Sequence, residues 1–275
     1  MKLRKALDKA NEERAAAKES DAGQEVSAAK TVRESALAKS TDSDKWQAPV
    51  YSTSTTVKVD PLLLAENRCA CILGDAPCMD AFKVLRTHIK QRTRDMGLNT
   101  VMITSVHSGE GKTLTAINLA LTFAREHQQT SLLVDCDFQK QDIYKYMGTG
   151  GTSGLVDFFL DNKPLEELII WPGIEKFSLL SGGRVIQDST ELLGSQKMKE
   201  LITEVKSRYL DRYIFLDVPA VLDGADAMAF APLVDVIIMV VEPGRTTMPD
   251  VERALNLLPR EKFLGFVMND KNNAL

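Results

Sequence analysis

Hydrophobic positions along the chain fall into short apolar runs, separated by segments of helical periodicity. Runs at Thr100–Thr104, Ser131–Asp135, Phe177–Leu180, Tyr213–Asp217, Val236–Val241 and Phe263–Met268 have the length of strands. Several are apolar at successive positions: Leu132-Leu133-Val134, Ile214-Phe215-Leu216, and the whole of 236–241. A strand apolar on both faces is covered on both faces, the condition of a parallel sheet packed between helices. The segments between the runs predict helices over 113–126, 154–160, 189–209, 225–231 and 248–258. A further helix is predicted over 78–94, with Phe82, Leu85 and Ile89 on one stripe. Residues 49–60 read as extended. The alternation predicts an α/β fold of three layers, a doubly wound and mainly parallel sheet whose ligands bind at the carboxyl ends of the strands.

Residues 1–48 break this pattern. They are rich in Ala, Lys, Glu, Ser and Asp, with Leu3, Leu7, Val26, Val32, Leu37 and Trp46 as scattered large apolar residues. The chain therefore divides into a flexible or partly helical segment, 1–48, and a folded domain, 49–275. The first 19 residues fit a short charged helix with Leu3, Leu7 and Ala10 on one face. Two readings of the segment stand, a solvated tail or a docking helix.

Composition narrows the classes. A net charge of −4 over 275 residues gives no electrostatic footprint for nucleic acid. The aliphatic run 236–241 is far too short to span a bilayer. The opening Met1-Lys2-Leu3-Arg4-Lys5 runs into further charge, not into the apolar core of a signal peptide, so a cytoplasmic location is expected. Any membrane association would then come through a partner or an amphipathic segment. The four cysteines, Cys69, Cys71, Cys78 and Cys136, lack the paired knuckles of a structural zinc site and are expected to be reduced thiols in the fold.

The chemistry begins after the first strong strand. Ser105-Val106-His107-Ser108-Gly109-Glu110-Gly111-Lys112-Thr113 follows it and opens a helix, the layout of a phosphate-binding loop. The pattern G-x-x-x-x-G-K-[ST] has Val106 in place of its first glycine. Gly109 and Gly111 let the backbone bend around an oxyanion, Lys112 reaches terminal phosphates, and the Thr113 hydroxyl is a ligand for Mg²⁺. Ser108, Gly109, Glu110, Gly111, Lys112, Thr113 and Thr115 are the candidate ATP-binding residues. Two further strands end in carboxylates: Asp135-Cys136-Asp137, and Asp217 before Val218-Pro219-Ala220. An apolar strand ending in Asp is a second cation-binding signature, so Thr113, Asp137 and Asp217 are the candidate metal ligands. Lys112, Asp135 and Asp137 are the candidate catalytic residues, with Asp135 expected to orient the attacking hydroxyl or water. The expected cofactors are ATP and Mg²⁺.

Gly109-Glu-Gly-Lys-Thr113, Leu133-Val-Asp135-Cys-Asp137 and Phe215-Leu-Asp217-Val-Pro219 together resemble the bacterial tyrosine kinases of exopolysaccharide synthesis, a branch of the MinD/ParA-type P-loop ATPases. Met79-Asp80-Ala-Phe-Lys83-Val-Leu-Arg86-Thr87 is similar to a helix of that family that packs on a neighbouring subunit. The resemblance therefore implies a homo-oligomer with Asp80, Lys83 and Arg86 at its interface. Thr190-Glu-Leu-Leu193, Ala231-Pro-Leu-Val-Asp235 and Val240-Val-Glu-Pro-Gly-Arg-Thr246 are similar to the family as well. The stretch from Pro49 to Asp217 most resembles the exosortase-associated autokinases. Asn269 matches a position that reads adenine in related ATPases. His107 stands where MinD-type loops carry a second lysine, in agreement with the kinase branch. Gln139 and Gln141 stand where the family usually has Arg and Pro, and Ala220 replaces a proline.

The resemblance implies a membrane polysaccharide co-polymerase, or chain-length regulator, as partner. It also implies a tyrosine cluster after the last strand, and the sequence ends at Leu275 without one; its tyrosines are Tyr51, Tyr144, Tyr146, Tyr209 and Tyr213. Two functions follow: a tyrosine autokinase of exopolysaccharide synthesis or export, or an ATP-dependent assembly switch that acts on the same kind of partner without phosphorylating protein.

Overall fold

The computed structural model describes residues 55–72, 78–151, 153–186, 189–209 and 211–270. The expectations for 1–48 and for Tyr51 lie outside these residues. Among the described residues eight strands form one sheet: β1 (Thr55–Thr56), β2 (Thr100–Ser105), β3 (Thr130–Asp135), β4 (Ile169–Trp171), β5 (Phe177–Leu180), β6 (Arg212–Asp217), β7 (Val236–Val241) and β8 (Phe263–Met268). Their order is β1-β4-β5-β3-β6-β2-β7-β8. All neighbours are parallel except β4 and β5. The six expected strands are all present, and every position of β2, β3 and β6 is buried, as their apolar runs require. The antiparallel β4 and the two-residue β1 extend one edge and have no counterpart among the expected strands.

Ten helices connect the strands among the described residues: α1 (Pro61–Glu66), α2 (Met79–Thr93), α3 (Lys112–Ala124), α4 (Ile143–Met147), α5 (Leu155–Asp161), α6 (Leu165–Leu168), α7 (Ser189–Leu193), α8 (Gln196–Arg208), α9 (Asp226–Phe230) and α10 (Met248–Asn256). The single helix expected over 189–209 is two helices. Gly194 closes the first, its amide on the Thr190 carbonyl at 2.9 Å. Ser195 opens the second, its hydroxyl accepting the Met198 amide at 3.1 Å.

Two apolar clusters flank the sheet. On one face Leu132, Val134, Ile214, Leu216, Ile237 and Met239 pack under α5, α8 and α9. On the other, Val101, Ile103, Leu133, Phe215 and Ile238 pack under α3. Helix α3 is apolar on most sides because α2 covers its outer surface, with Ile89 and Met79 in the same cluster as Ile117, Leu121 and Phe123. The layers leave the carboxyl ends of β2, β3 and β6 side by side, Asp135 in register with Asp217. No helix of the described residues is long and apolar enough to cross a membrane.

Candidate nucleotide and cation site

The loop after β2 curls into the first turn of α3. Gly109 and Gly111 have φ of 84° and 93°, the left-handed region that favours glycine. Gly111 has a second constraint: a Cβ there would lie 2.0 Å from the Asn269 amide nitrogen. Asn269 donates to the Glu110 carbonyl at 2.8 Å, so the side chain after β8 locks the phosphate loop from its open side. Val106, where the motif has glycine, is buried in the core, and its carbonyl accepts the Leu222 amide at 3.1 Å. The loop therefore starts one residue inside the packed interior, and its open curve begins at His107.

Glu110 is fully buried. Its carboxylate accepts the His107 amide at 2.9 Å and the Thr246 hydroxyl. Arg245 donates to the Ser108 carbonyl at 2.9 Å and pairs with Glu242 at 3.1 Å. The Ser108 amide donates to Asp223 at 3.1 Å, and Lys140 reaches the Ser108 hydroxyl. The segments after β6, β7 and β8 thus each hold one part of the loop. His107 turns outward to Asp250 at 3.4 Å. Thr115 is buried, one turn into α3, its amide on the Gly111 carbonyl at 2.9 Å.

The centre of the site is the Lys112 ammonium. It lies 2.8 Å from Asp137 and 3.2 Å from Asp217. The Thr113 hydroxyl donates to the other Asp217 oxygen at 2.6 Å. Burial alone would lower the lysine's pKa; the Asp217 and Asp137 carboxylates outweigh it and raise it above the usual lysine range. Burial pushes Asp217 upward, opposed by Lys112 and the Thr113 hydrogen bond. Asp135 is pushed well above the carboxylate range by burial and by Asp217.

Asp135 does not bond to Lys112. One of its oxygens accepts the Asp137 amide at 3.1 Å, the other the Ile143 amide at 3.4 Å. It fastens the turn that carries Asp137 and Lys140, a task the sequence did not suggest. Asp137 in turn accepts the Lys140 amide at 3.1 Å through the oxygen not used by Lys112.

The donor set fits Mg²⁺. Two carboxylates and a hydroxyl converge around the Lys112 ammonium, all hard oxygen donors of the kind Mg²⁺ takes. Among the described residues no group of three or more His, Cys, Asp or Glu could hold a metal ion by itself. The four cysteines are free thiols.

Asp80, Lys83 and Arg86 lie on α2, away from the loop. Lys83 pairs with Asp80 at 2.9 Å on the surface. Arg86 points inward: it donates to the Thr122 carbonyl at 2.8 Å and pairs with Glu126 at 2.8 Å. Sequence reasoning passed over Lys140 and Asp223. Lys140 lies three residues after Asp137, and Asp223 sits beyond a proline turn; neither has a periodic signal.

A family profile described as an AAA domain matches residues 98–260. The tyrosine-protein kinase YwqD of Bacillus subtilis is 32% identical over 194 residues, 70% of this chain and 81% of YwqD. The putative tyrosine-protein kinase EpsB of Ralstonia solanacearum is 28% identical over 212 residues, 77% of this chain but 27% of EpsB, so the chain spans about a quarter of that longer relative. The kinase domain of Escherichia coli tyrosine kinase ETK is similar in fold, with a TM-score of 0.70 at 21% identity over 83% of this chain and 93% of the domain.

Proposed function

The chain belongs to the bacterial tyrosine kinases of the MinD/ParA-like P-loop lineage, and from that premise we propose that it transfers the γ-phosphate of Mg-ATP to a tyrosine hydroxyl. The observation that carries this reading is the convergence of Lys112, Thr113, Asp137 and Asp217 at the mouth of a glycine-bent loop. In the reaction the tyrosine oxygen forms a bond to phosphorus, the bond to the β-phosphate oxygen breaks, and the phenolic proton passes to a carboxylate. Little of this is covalent work for the protein; positioning and charge neutralisation dominate.

Lys112 neutralises terminal phosphate charge, and the loop amides hold the phosphates in place. Thr113 and Asp217 would hold Mg²⁺, with Asp137 beside them. When bound, the ion would neutralise charge on the β- and γ-oxygens. We assign the acceptor hydroxyl to Asp137, whose carboxylate lies against the Lys112 ammonium at the centre of the site, and a positioning role to Asp135, whose oxygens meet only the backbone amides of Asp137 and Ile143. Asn269, already on Glu110 beside Gly111, is the candidate contact to adenine. Tyr144 and Tyr146 are half-buried on α4 and Tyr209 is exposed, whereas Tyr213 is buried against Thr93 at 2.8 Å and is not an acceptor. A partner segment or a second copy supplies the acceptor in the simplest version of this reading. The partner class is a membrane polysaccharide co-polymerase of exopolysaccharide synthesis or export, which would hold this cytoplasmic domain at the inner face. We further propose that 49–275 is one catalytic domain, 1–48 a separate segment, and the α2 surface bearing Asp80 and Lys83 an interface between copies.

Incubation with Mg-ATP, followed by mass-spectrometric mapping of phosphotyrosine on the protein and its co-polymerase, tests the assignment. Phosphotyrosine is expected with wild type and absent with Lys112→Ala. Lys112→Arg, which keeps a cation between the carboxylates, separates lost chemistry from lost folding and is expected to be at least tenfold slower. ATP hydrolysis with no Lys112-dependent phosphotyrosine would replace the kinase by the assembly switch.

A further inference from the structure

Ser108, at the tip of the phosphate loop, is gripped from two sides. Arg245 holds its carbonyl, and the Lys140 ammonium meets its hydroxyl. The two cations differ in what else they do. Arg245 is neutralised by Glu242. Among the described residues no carboxylate lies within 4.0 Å of the Lys140 ammonium, whereas Lys83, Lys90, Lys145 and Lys206 each pair with one. Lys140 is also placed with care: its amide is bound by the Asp137 carboxylate that holds Lys112. One carboxylate therefore sets both the buried lysine and the start of an exposed one that arches over the loop mouth. An ammonium whose partner is a neutral hydroxyl keeps donors and full charge for an anion.

Resting on the nucleotide-site reading above, we propose that Lys140 is a second phosphate-binding cation, which recognises the terminal phosphate and makes the site prefer nucleoside triphosphate over diphosphate. Lys112 is shared between two carboxylates, which offset part of the charge it brings to a terminal phosphate, so that phosphate gains from a second cation that is not already paired. Lys140 meets that need from the loop beside the Asp pair.

Titration calorimetry with Mg²⁺, a non-hydrolysable imido analogue of ATP, and ADP decides the matter without catalysis. Lys140→Met should weaken the analogue about tenfold, the loss of one charge-assisted hydrogen bond, and leave ADP within about twofold. Lys140→Arg should recover most of the preference. Equal weakening of both nucleotides by Lys140→Met, or no change in either, overturns the role of Lys140. A wild-type protein that binds neither nucleotide overturns the nucleotide site itself.

Discussion

Residue by residue, burial pulls ionisable groups in the direction of their neutral forms, and a close opposite charge can reverse the pull. Lys112 is buried yet stays charged, because Asp217 and Asp137 face it. Cys69 and Cys71 show the ordinary case: desolvation pushes each thiol from 9.0 up to about 12. The sign of the linkage follows. A raised pKa means that the folded protein holds these protons where the unfolded chain releases them. The stability this gives is complete below pH 9.0 and is lost as pH rises toward about 12. Denaturant midpoints measured over that alkaline range should fall steeply for wild type and less steeply for a Cys69→Ala, Cys71→Ala variant. At neutral pH both thiols should resist alkylation until denaturant is added, since the thiolate is the reactive form.

Among the elements, what could be read from the sequence was the apolar runs, most of them wholly buried. Strands β2, β3, β6 and β7 were legible because apolar runs of that length have no other place in an α/β domain. The phosphate loop and the strand-end carboxylates were legible because glycine, lysine and aspartate at fixed offsets from a strand carry their own chemistry. Short elements were not: β4 has three residues and pairs antiparallel at the sheet edge. The tertiary contacts of polar side chains were also not legible. Helix α1 is an instructive omission, since Asp60 caps it and Pro61 occupies its first turn, a signal present in the sequence. Helix α2 illustrates the second kind. Its motif suggested three outward-facing residues, but Arg86 ties α2 to the end of α3 through Thr122 and Glu126, and against burial the Lys90 hydrogen bond and then the Arg86 charge lower the Glu126 pKa. The two basic residues should therefore separate on mutation. Arg86→Ala should destabilise the fold by about 1–2 kcal/mol, while Lys83→Ala should stay within about 0.5 kcal/mol. Sedimentation of Lys83→Ala alone then reads the proposed interface; an unchanged distribution would remove α2 from it.

For the molecule as a whole, the sheet's charge balance at its carboxyl edge is a condition of folding as well as of chemistry. Asp135, Asp137 and Asp217 come together there nearly without solvent contact, and Lys112 is the cation between two of them. Removing one partner of a buried pair leaves the other charged and unsolvated, at a cost of roughly 3–5 kcal/mol. Lys112→Met should therefore lower thermal stability by several degrees or more in the absence of nucleotide. The same geometry gives that variant a remedy. With the ammonium gone, two carboxylates and the Thr113 hydroxyl face the space it left, and a divalent cation can supply the missing charge. Millimolar Mg²⁺ should raise the melting temperature of Lys112→Met more than that of the wild type, in which the Lys112 ammonium already lies between two of the carboxylates. The further change Asp217→Asn should remove the response. Equal Mg²⁺ responses in wild type and Lys112→Met would mean that the ion does not take the place of the missing ammonium.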